Sequence, residues 1–305
     1  MILTQQWPIF DQNRLLLGFL MSKNPEKTKE IKAKAEKQIA SRLAKGAGSG
    51  AGRAYKPYLT VRDVNSRGRY NRSPSVTVGR VHQLLSDLEY HVLLMLDWDS
   101  QVTDIREQFP VPLEDSQTIA REMGIAHLSY QGTDEVLTTD FLVDLNIQGK
   151  TIRRAISAKY AEELDDPRVL EKMELERRYW VSKGIQFNLV TELEIPALLQ
   201  KNVKWFHPYM NHFDLSTPEQ QQEYFKILLA AINQSPSQKI TAITTRLDDE
   251  YNIEPGTHLS LLRQFLAQRA FFFDLEALTI VNLRAKDLTP SHFWLEQDYE
   301  YAVGE

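Results

Sequence analysis

The chain has 305 residues, of which 42% are hydrophobic and 25% are charged, and its formal net charge is −5. These values indicate a folded globular protein of one large or two medium domains, and the negative charge argues against attraction of nucleic acid to the whole surface. The absence of cysteine excludes disulfides, thiolate metal sites and cysteine nucleophiles. No apolar run approaches the ~20 residues of a membrane span, and the mixed stretch from Ile2 to Phe19 lacks the pattern of a secretory signal.

The first predicted element is a basic helix from about Pro25 to Lys45. Ile31, Ala35, Ile39 and Leu43 are four residues apart and form one narrow apolar stripe along it. Between positions 23 and 56 the chain carries three acidic and ten basic residues, the basic ones being Lys23, Lys27, Lys29, Lys32, Lys34, Lys37, Arg42, Lys45, Arg53 and Lys56. Such an arm is typical of proteins that contact phosphate groups, and a solvated helix face explains the charges equally well.

The segment after this helix changes in composition twice. Residues 46–52 are mostly glycine and alanine, which predicts a flexible hinge, and the Gly-Lys-Ser/Thr that closes a Walker loop is absent. Residues 65–74 are rich in Arg, Ser and Gly and predict a loop. From Val81 to Trp98 apolar residues recur at helical spacing, which predicts a long and well-buried amphipathic helix.

The middle of the chain alternates between strand and helix patterns. The predicted order is a strand at 102–111, a helix at 116–123, two strands at 136–147 and 151–160, a helix from about 167 to 183 and a strand at 186–191. A short turn, Gln148-Gly149-Lys150, joins the two central strands and makes them antiparallel neighbours. The order predicts an α/β domain with a mixed sheet flanked by helices.

After Pro196 the predicted elements are mostly helical. Helices are expected at 217–233, 239–251 and 259–270, followed by a short hairpin of 271–274 with 278–283. Helices followed by a hairpin indicate a winged-helix module.

Candidate catalytic residues lie on the two central strands. Phosphodiester hydrolysis needs a cation that neutralises charge on the phosphate and an activated water. Nucleases built on one twisted sheet commonly place an aspartate near the end of one strand and an acid-x-Lys on the next. Asp140 begins the first central strand and Lys159 ends the second, so the antiparallel turn places both at one edge of the sheet.

A second carboxylate must come from another element, because the position two before the lysine is Ser157. Glu89 is the candidate, since it occupies a position that the helical period assigns to the buried side, where an unpaired charge is costly. The carbonyl of Ala158 is a further candidate ligand for Mg²⁺, which prefers oxygen donors. Taken singly, each residue also has an ordinary explanation: a turn aspartate, a solvated lysine and a glutamate at a groove edge.

Several blocks of sequence resemble one known family. They are Arg80–Glu89 (RVHQLLSDLE), Asp104–Pro110 (DIREQFP), Thr139–Asp144 (TDFLVD) and Leu170–Trp180 (LEKMELERRYW). In this order they closely resemble TnsA, the endonuclease subunit of heteromeric TnsABC-type bacterial transposons, and the likeness covers about residues 53–205.

The resemblance implies a restriction-endonuclease-like catalytic domain followed by a winged-helix-like domain. The expected divisions are a basic arm and linker at 1–54, the catalytic domain at 55–196 and the C-terminal domain at 197–305. A TnsA-like protein is expected in the bacterial cytoplasm, where it cuts the 5′ ends of transposon DNA with Mg²⁺, for which Mn²⁺ can substitute. A TnsB-like transposase cuts and joins the 3′ ends, and a TnsC-like ATP-dependent regulator contacts the C-terminal part.

The resemblance also implies roles for individual residues. The family's acidic residues match Glu89 and Asp140, and its lysine matches Lys159. The family usually carries Gln at the position of Ser157, which puts a direct role of that side chain in doubt. Two alternatives stay open: a non-catalytic DNA-binding scaffold between transposase and regulator, and a free-standing restriction-type nuclease.

Two neighbouring polar residues are given structural roles. Asp144 lies four residues along the strand from Asp140, too far to share one ion with it, and is expected to form hydrogen bonds. His82 precedes Glu89 by seven residues and is expected on the same side of the predicted helix, in a structural or DNA-facing role.

Overall fold

The computed structural model describes residues 25–63, 69–130, 133–210 and 217–301. The prediction for Ile2 to Phe19 lies outside these ranges, as does the part of the predicted loop up to position 68. None of the helices within the described ranges combines the length and the apolar character that a membrane crossing requires.

The helices and strands are, in chain order, α1 (Pro25–Ala44), β1 (Asn71–Pro74), β2 (Val81–Leu84), α2 (Asp87–Trp98), β3 (Val102–Pro110), α3 (Leu113–Met123), β4 (Ser129–Tyr130), β5 (Thr133–Asp134), β6 (Thr138–Ile147), β7 (Lys150–Ala158), α4 (Pro167–Ser182), β8 (Gln186–Val190), α5 (Ala197–Phe206), α6 (Pro218–Gln234), α7 (Ile240–Tyr251), α8 (Thr257–Ala267), β9 (Phe271–Phe272), β10 (Thr289–Pro290) and α9 (His292–Tyr301).

The largest sheet of the described chain has four strands in the order β3-β6-β7-β8. β3 pairs antiparallel with β6 and β6 antiparallel with β7, whereas β7 and β8 are parallel. Leu88 and Val92 of α2 pack in one core cluster with Phe141, and Leu175 of α4 packs in another with Leu142. Since Phe141 and Leu142 are consecutive residues of β6 and point to opposite faces, helices cover both faces. The predicted mixed sheet flanked by helices is confirmed.

The predicted long helix from Val81 is wrong in its first six residues. Val81–Leu84 is a strand that pairs antiparallel with Asn71–Pro74, part of the segment predicted as loop. The helix begins only at Asp87, because Ser86 is its N-cap and its side chain accepts a hydrogen bond from the backbone N–H of Glu89 at 3.0 Å. The apolar residues of this strand happen to be spaced so that they extend the apolar pattern of the helix that follows.

The C-terminal region is helical, as predicted, but its predicted hairpin is wrong. Phe271–Phe272 pairs antiparallel with Thr289–Pro290 rather than with residues 278–283. The chain turns at Asp274, whose side chain accepts hydrogen bonds from the backbone N–H groups of Glu276 and Ala277. The strand therefore does not continue into a hairpin with residues 278–283. The winged-helix class of this region stays a prediction.

The glycine-rich segment 46–52 is packed against the sheet, which differs from the predicted hinge. The N–H of Gly48 donates to the carbonyl of Lys56 at 2.6 Å, and the N–H of Gly52 donates to Asp104 Oδ1 at 3.0 Å. Gly48 has a φ of +76°, and a Cβ at this position would lie 2.2 Å from Cγ of Pro110. The segment therefore needs glycine for backbone conformation and for close approach to β3.

Replacement of Gly48 by alanine is expected to destabilise the protein by about 2 to 5 kcal/mol, because a left-handed conformation and a steric overlap add together. Gly149→Ala is the matched control, since Gly149 has a φ of +80° but no atom within 4 Å of the added Cβ. It should cost only about 1 to 2 kcal/mol. Urea unfolding of both variants measures the difference, and equal losses would show that segment 46–52 is not packed on Pro110.

Candidate active site

The structure brings Glu89, Asp140 and Lys159 together at one edge of the sheet. The side-chain amide of Gln108 lies between the two acids, and its Nε2 donates to Glu89 Oε2 and to Asp140 Oδ1 at 3.2 Å each. Lys159 Nζ lies 3.6 Å from Asp140 Oδ2. Glu89 is 4% exposed and Asp140 is 8% exposed. The arrangement is a buried pair of carboxylates with one amine beside it.

Glu89 is placed by the start of α2. Its Oε2 accepts from the N–H of Leu85 at 2.9 Å and its Oε1 from the hydroxyl of Ser86 at 3.1 Å. Because Ser86 in turn accepts from the N–H of Glu89, the two residues form a reciprocal cap at the first turn of the helix. Capping holds the carboxylate in one orientation, toward Asp140.

Asp140 is placed by the β6–β7 hairpin. The hairpin register pairs Phe141 with Ile156, so Asp140 faces the end of β7. Its Oδ2 accepts from the N–H of Ala158 at 2.8 Å. The predicted ligand at this position, the carbonyl of Ala158, accepts from Lys159 Nζ at 2.8 Å. The carbonyl, the amine and the carboxylate thus form one continuous polar group.

The charged form of Glu89 is disfavoured in this site. Burial, followed by the charge of Asp140, raises the pKa of Glu89 to about 8, although Leu85 and Lys159 oppose the shift. The pKa of Lys159 is raised, chiefly by the charge of Asp140. A cation bound beside Glu89 would favour the charged form of its carboxylate.

Three residues of the site were missed by the sequence analysis. Gln108 was treated only as part of a strand. Glu176, on α4, is 0% exposed, and its Oε1 accepts from the hydroxyl of Ser157 at 2.5 Å. Lys172 precedes Glu176 by one helical turn, and the pKa of its amine is lowered by burial and then by the charge of Lys159.

Glu176 is singled out by its burial rather than by a pattern in the sequence. It lies among the buried residues of α4, where a lone charge is costly. Burial and the charge of Asp140 raise its pKa to about 7, and within the described chain its Oε2 has no hydrogen-bond partner. Ser157, two residues before Lys159, is therefore hydrogen-bonded to the carboxylate of Glu176 on the neighbouring helix α4.

The site offers oxygen donors of the kind that a divalent cation binds. Among the described residues no group of three or more His, Asp or Glu side chains is placed to hold a metal ion. Two carboxylates do converge on the single nitrogen of Gln108, and the carbonyl of Ala158 lies 2.8 Å from Lys159 Nζ, the amine beside Asp140. Mg²⁺ often binds through one or two carboxylates and keeps several waters, so the residues present fit this ion.

Two neighbouring residues have structural roles. Asp144 accepts from Arg153 Nε at 2.6 Å and lies 2.7 Å from Arg106, which confirms its predicted hydrogen-bonding role. His82 is on β2 rather than on the helix of Glu89, which corrects its predicted placement. Its ring is 0% exposed and its Nδ1 lies 2.7 Å from Glu107, so it is structural and does not face DNA.

The structure defines an α/β protein in which two acids and a lysine meet at one edge of a mixed sheet. Residues 99–192 match the family model described as TnsA-like endonuclease N terminal, and residues 194–275 match the model TnsA endonuclease C terminal. The chain is 41% identical over 244 residues to Transposon Tn7 transposition protein TnsA of Escherichia coli, which covers 79% of this chain and 87% of the relative.

The chain therefore belongs to the TnsA family, as its sequence blocks predicted. It is a DNA endonuclease and an endonuclease subunit of a transposase. Asp140, Lys159 and Glu176 lie inside the matched N-terminal model, and Glu89 lies before its first residue.

Proposed function

We propose that the protein cleaves phosphodiester bonds at the 5′ ends of a transposon with a bound divalent cation, in concert with a TnsB-like transposase and a TnsC-like regulator. The observation that carries the proposal is the convergence of Glu89 and Asp140 on one nitrogen, with Lys159 3.6 Å from Asp140. The amide of Gln108 donates to both acids, and a divalent cation between them would likewise interact with both.

The metal ligands and Lys159 would have separate roles in the reaction. Glu89, Asp140 and the carbonyl of Ala158 would hold Mg²⁺, and when bound the ion neutralises phosphate charge and lowers the pKa of a coordinated water. Lys159 orients the attacking water or stabilises the pentacovalent phosphate through its ammonium. The raised pKa of the Lys159 amine keeps it charged for this role.

Glu176 and Ser157 would support the centre from α4. Their hydrogen bond of 2.5 Å ties the helix to the strand that carries Ala158 and Lys159. Lys172, one turn earlier on α4, brings a second amine near Lys159.

The basic arm would add non-specific affinity for duplex DNA. Lys32, Lys34 and Lys37 of α1 are exposed, and the last turn of the helix is fixed by Arg42, which lies 2.6 Å from Asp63. An anchored helix with exposed lysines can follow a phosphate backbone, and binding through it weakens as salt rises. The arm at 1–54, the catalytic domain at 55–196 and a winged-helix-like domain at 197–305 remain our proposed divisions.

The proposal is tested by cleavage of labelled transposon-end DNA with partner proteins present. We expect 5′-end cleavage in Mg²⁺ and in Mn²⁺, and none after chelation with EDTA. Cleavage that persists in EDTA would overturn metal dependence. Strong cleavage by the isolated chain would instead favour the free-standing nuclease, and the endonuclease class of the family already argues against a mere scaffold.

A further inference from the structure

Gln108 occupies an unusual backbone conformation inside a β-strand. Its φ is +48°, in the left-handed region that non-glycine residues seldom adopt, and its side chain is only 2% exposed. The register of β3 with β6 pairs Glu107 with Phe141 and Phe109 with Thr139, which places Gln108 opposite Asp140. Non-glycine residues in this conformation persist where the surrounding structure imposes it, and they concentrate at functional sites.

The amide of Gln108 is oriented by a third contact. The hydroxyl of Thr138 donates to its Oε1 at 2.9 Å, so the oxygen faces away from the acids and the NH₂ group faces them. An amide NH₂ has two hydrogens, and here Glu89 and Asp140 each accept one at 3.2 Å. The amide therefore fixes the distance between two carboxylates that come from different elements.

The backbone of Gln108 is held by the segment that precedes the sheet. The N–H of Tyr58 donates to the carbonyl of Gln108 at 3.2 Å, and the hydroxyl of Tyr55 donates to the carbonyl of Glu107 at 3.0 Å. Gly48 lies against Pro110, two residues beyond. Contacts on both sides of Gln108 thus impose the conformation that turns its side chain to the acids.

We propose that Gln108 is a positioning residue that holds Glu89 and Asp140 ready to receive a divalent cation. The inference rests on the proposed metal dependence. Groups that hydrogen-bond to metal ligands orient them and reduce the rearrangement that binding requires. Loss of the amide should therefore weaken metal binding by a larger factor than it lowers cleavage at saturating metal.

The test compares Gln108→Leu with Gln148→Leu. Gln148 is a matched control, because it also has a positive φ, of 52°, but lies exposed in the β6–β7 turn. Mn²⁺ binding to the protein alone is followed by electron paramagnetic resonance, and the Mg²⁺ concentration for half-maximal end cleavage is measured with partner proteins. For Gln108→Leu we expect the Mn²⁺ dissociation constant and the half-maximal Mg²⁺ concentration each to rise about 10-fold or more, a larger change than the fall in cleavage at saturating metal. For Gln148→Leu we expect neither value to change.

A second variant covers the case in which Gln108→Leu does not fold. Thr138→Val keeps Gln108 in place but removes the hydroxyl that orients its amide, and it should weaken Mn²⁺ binding in the same direction. Unchanged Mn²⁺ binding in the folded variants, with normal binding by the wild type, would overturn the inference alone. A wild type that binds no Mn²⁺ would overturn the proposed function and the inference with it.

Discussion

Asp140→Asn is expected to reduce 5′-end cleavage by about a thousandfold, the scale on which single essential catalytic groups act. The carboxamide loses the negative charge that faces Lys159 at 3.6 Å, and it can no longer accept with both oxygens from Ala158 and Gln108. Single-turnover cleavage of labelled end DNA with partner proteins measures the loss, and circular dichroism shows that the variant is folded.

Asp144→Asn is the matched control for this prediction. Asp144 is on the same strand and also lies among cations, but its oxygens are used by Arg153 and Arg106 rather than by the candidate site. The control should lose some stability and retain cleavage within a few-fold of the wild type. Equal losses in the two variants, or normal cleavage by Asp140→Asn, would place the reaction elsewhere.

Glu89→Gln is expected to lower cleavage by about a hundredfold or more, because a neutral amide binds a divalent cation poorly. The same change is expected to stabilise the metal-free protein at alkaline pH. Burial and Asp140 raise the pKa of Glu89 from 4.5 to about 8. A raised folded-state pKa contributes stability that is complete below pH 4.5 and is lost as the pH rises to about 8. The glutamine side chain of the variant is uncharged at every pH, so the variant does not lose this stability as the pH rises.

Thermal unfolding in EDTA, from pH 5 to pH 8.5, measures the effect. At pH 8.5 the variant should exceed the wild type by on the order of 2 kcal/mol, or roughly 5 °C. Mg²⁺ should stabilise the wild type at this pH and have little effect on the Glu89→Gln variant. A wild type whose stability is independent of pH over this range, or a variant that is less stable at pH 8.5, would contradict the prediction.

The proximity of Asp140 and Lys159 could be predicted because it depends on a local feature. One short turn fixes the antiparallel pairing of β6 with β7, and the pairing alone brings the two residues to one edge. Glu89 could be nominated from its buried position, and its reciprocal cap with Ser86 is also readable as Ser-x-x-Glu. The sequence did not show how α2 lies on the sheet, and this placement brings Glu89 to Asp140.

The remaining parts of the site depend on contacts that no local pattern records. Gln108 reaches the acids because segments 50 residues earlier in the chain impose its backbone conformation. Glu176 meets Ser157 because α4 packs across the sheet. The segment Val81–Leu84 fits a helical period because its two apolar residues, Val81 and Leu84, are three positions apart. Its pairing with Asn71–Pro74 makes it a strand.

One helix links the two halves of the described chain. Glu89 stands in the first turn of α2, whereas Asp97, near its other end, lies 2.8 Å from His207 beyond α5. Leu88 packs in the core beneath the sheet, and Leu94 packs in the core of the C-terminal helices. Twelve residues of helix form a stiff rod about 18 Å long. Because α2 is one rigid element, it fixes the position of Glu89 relative to the side chains that pack among the C-terminal helices.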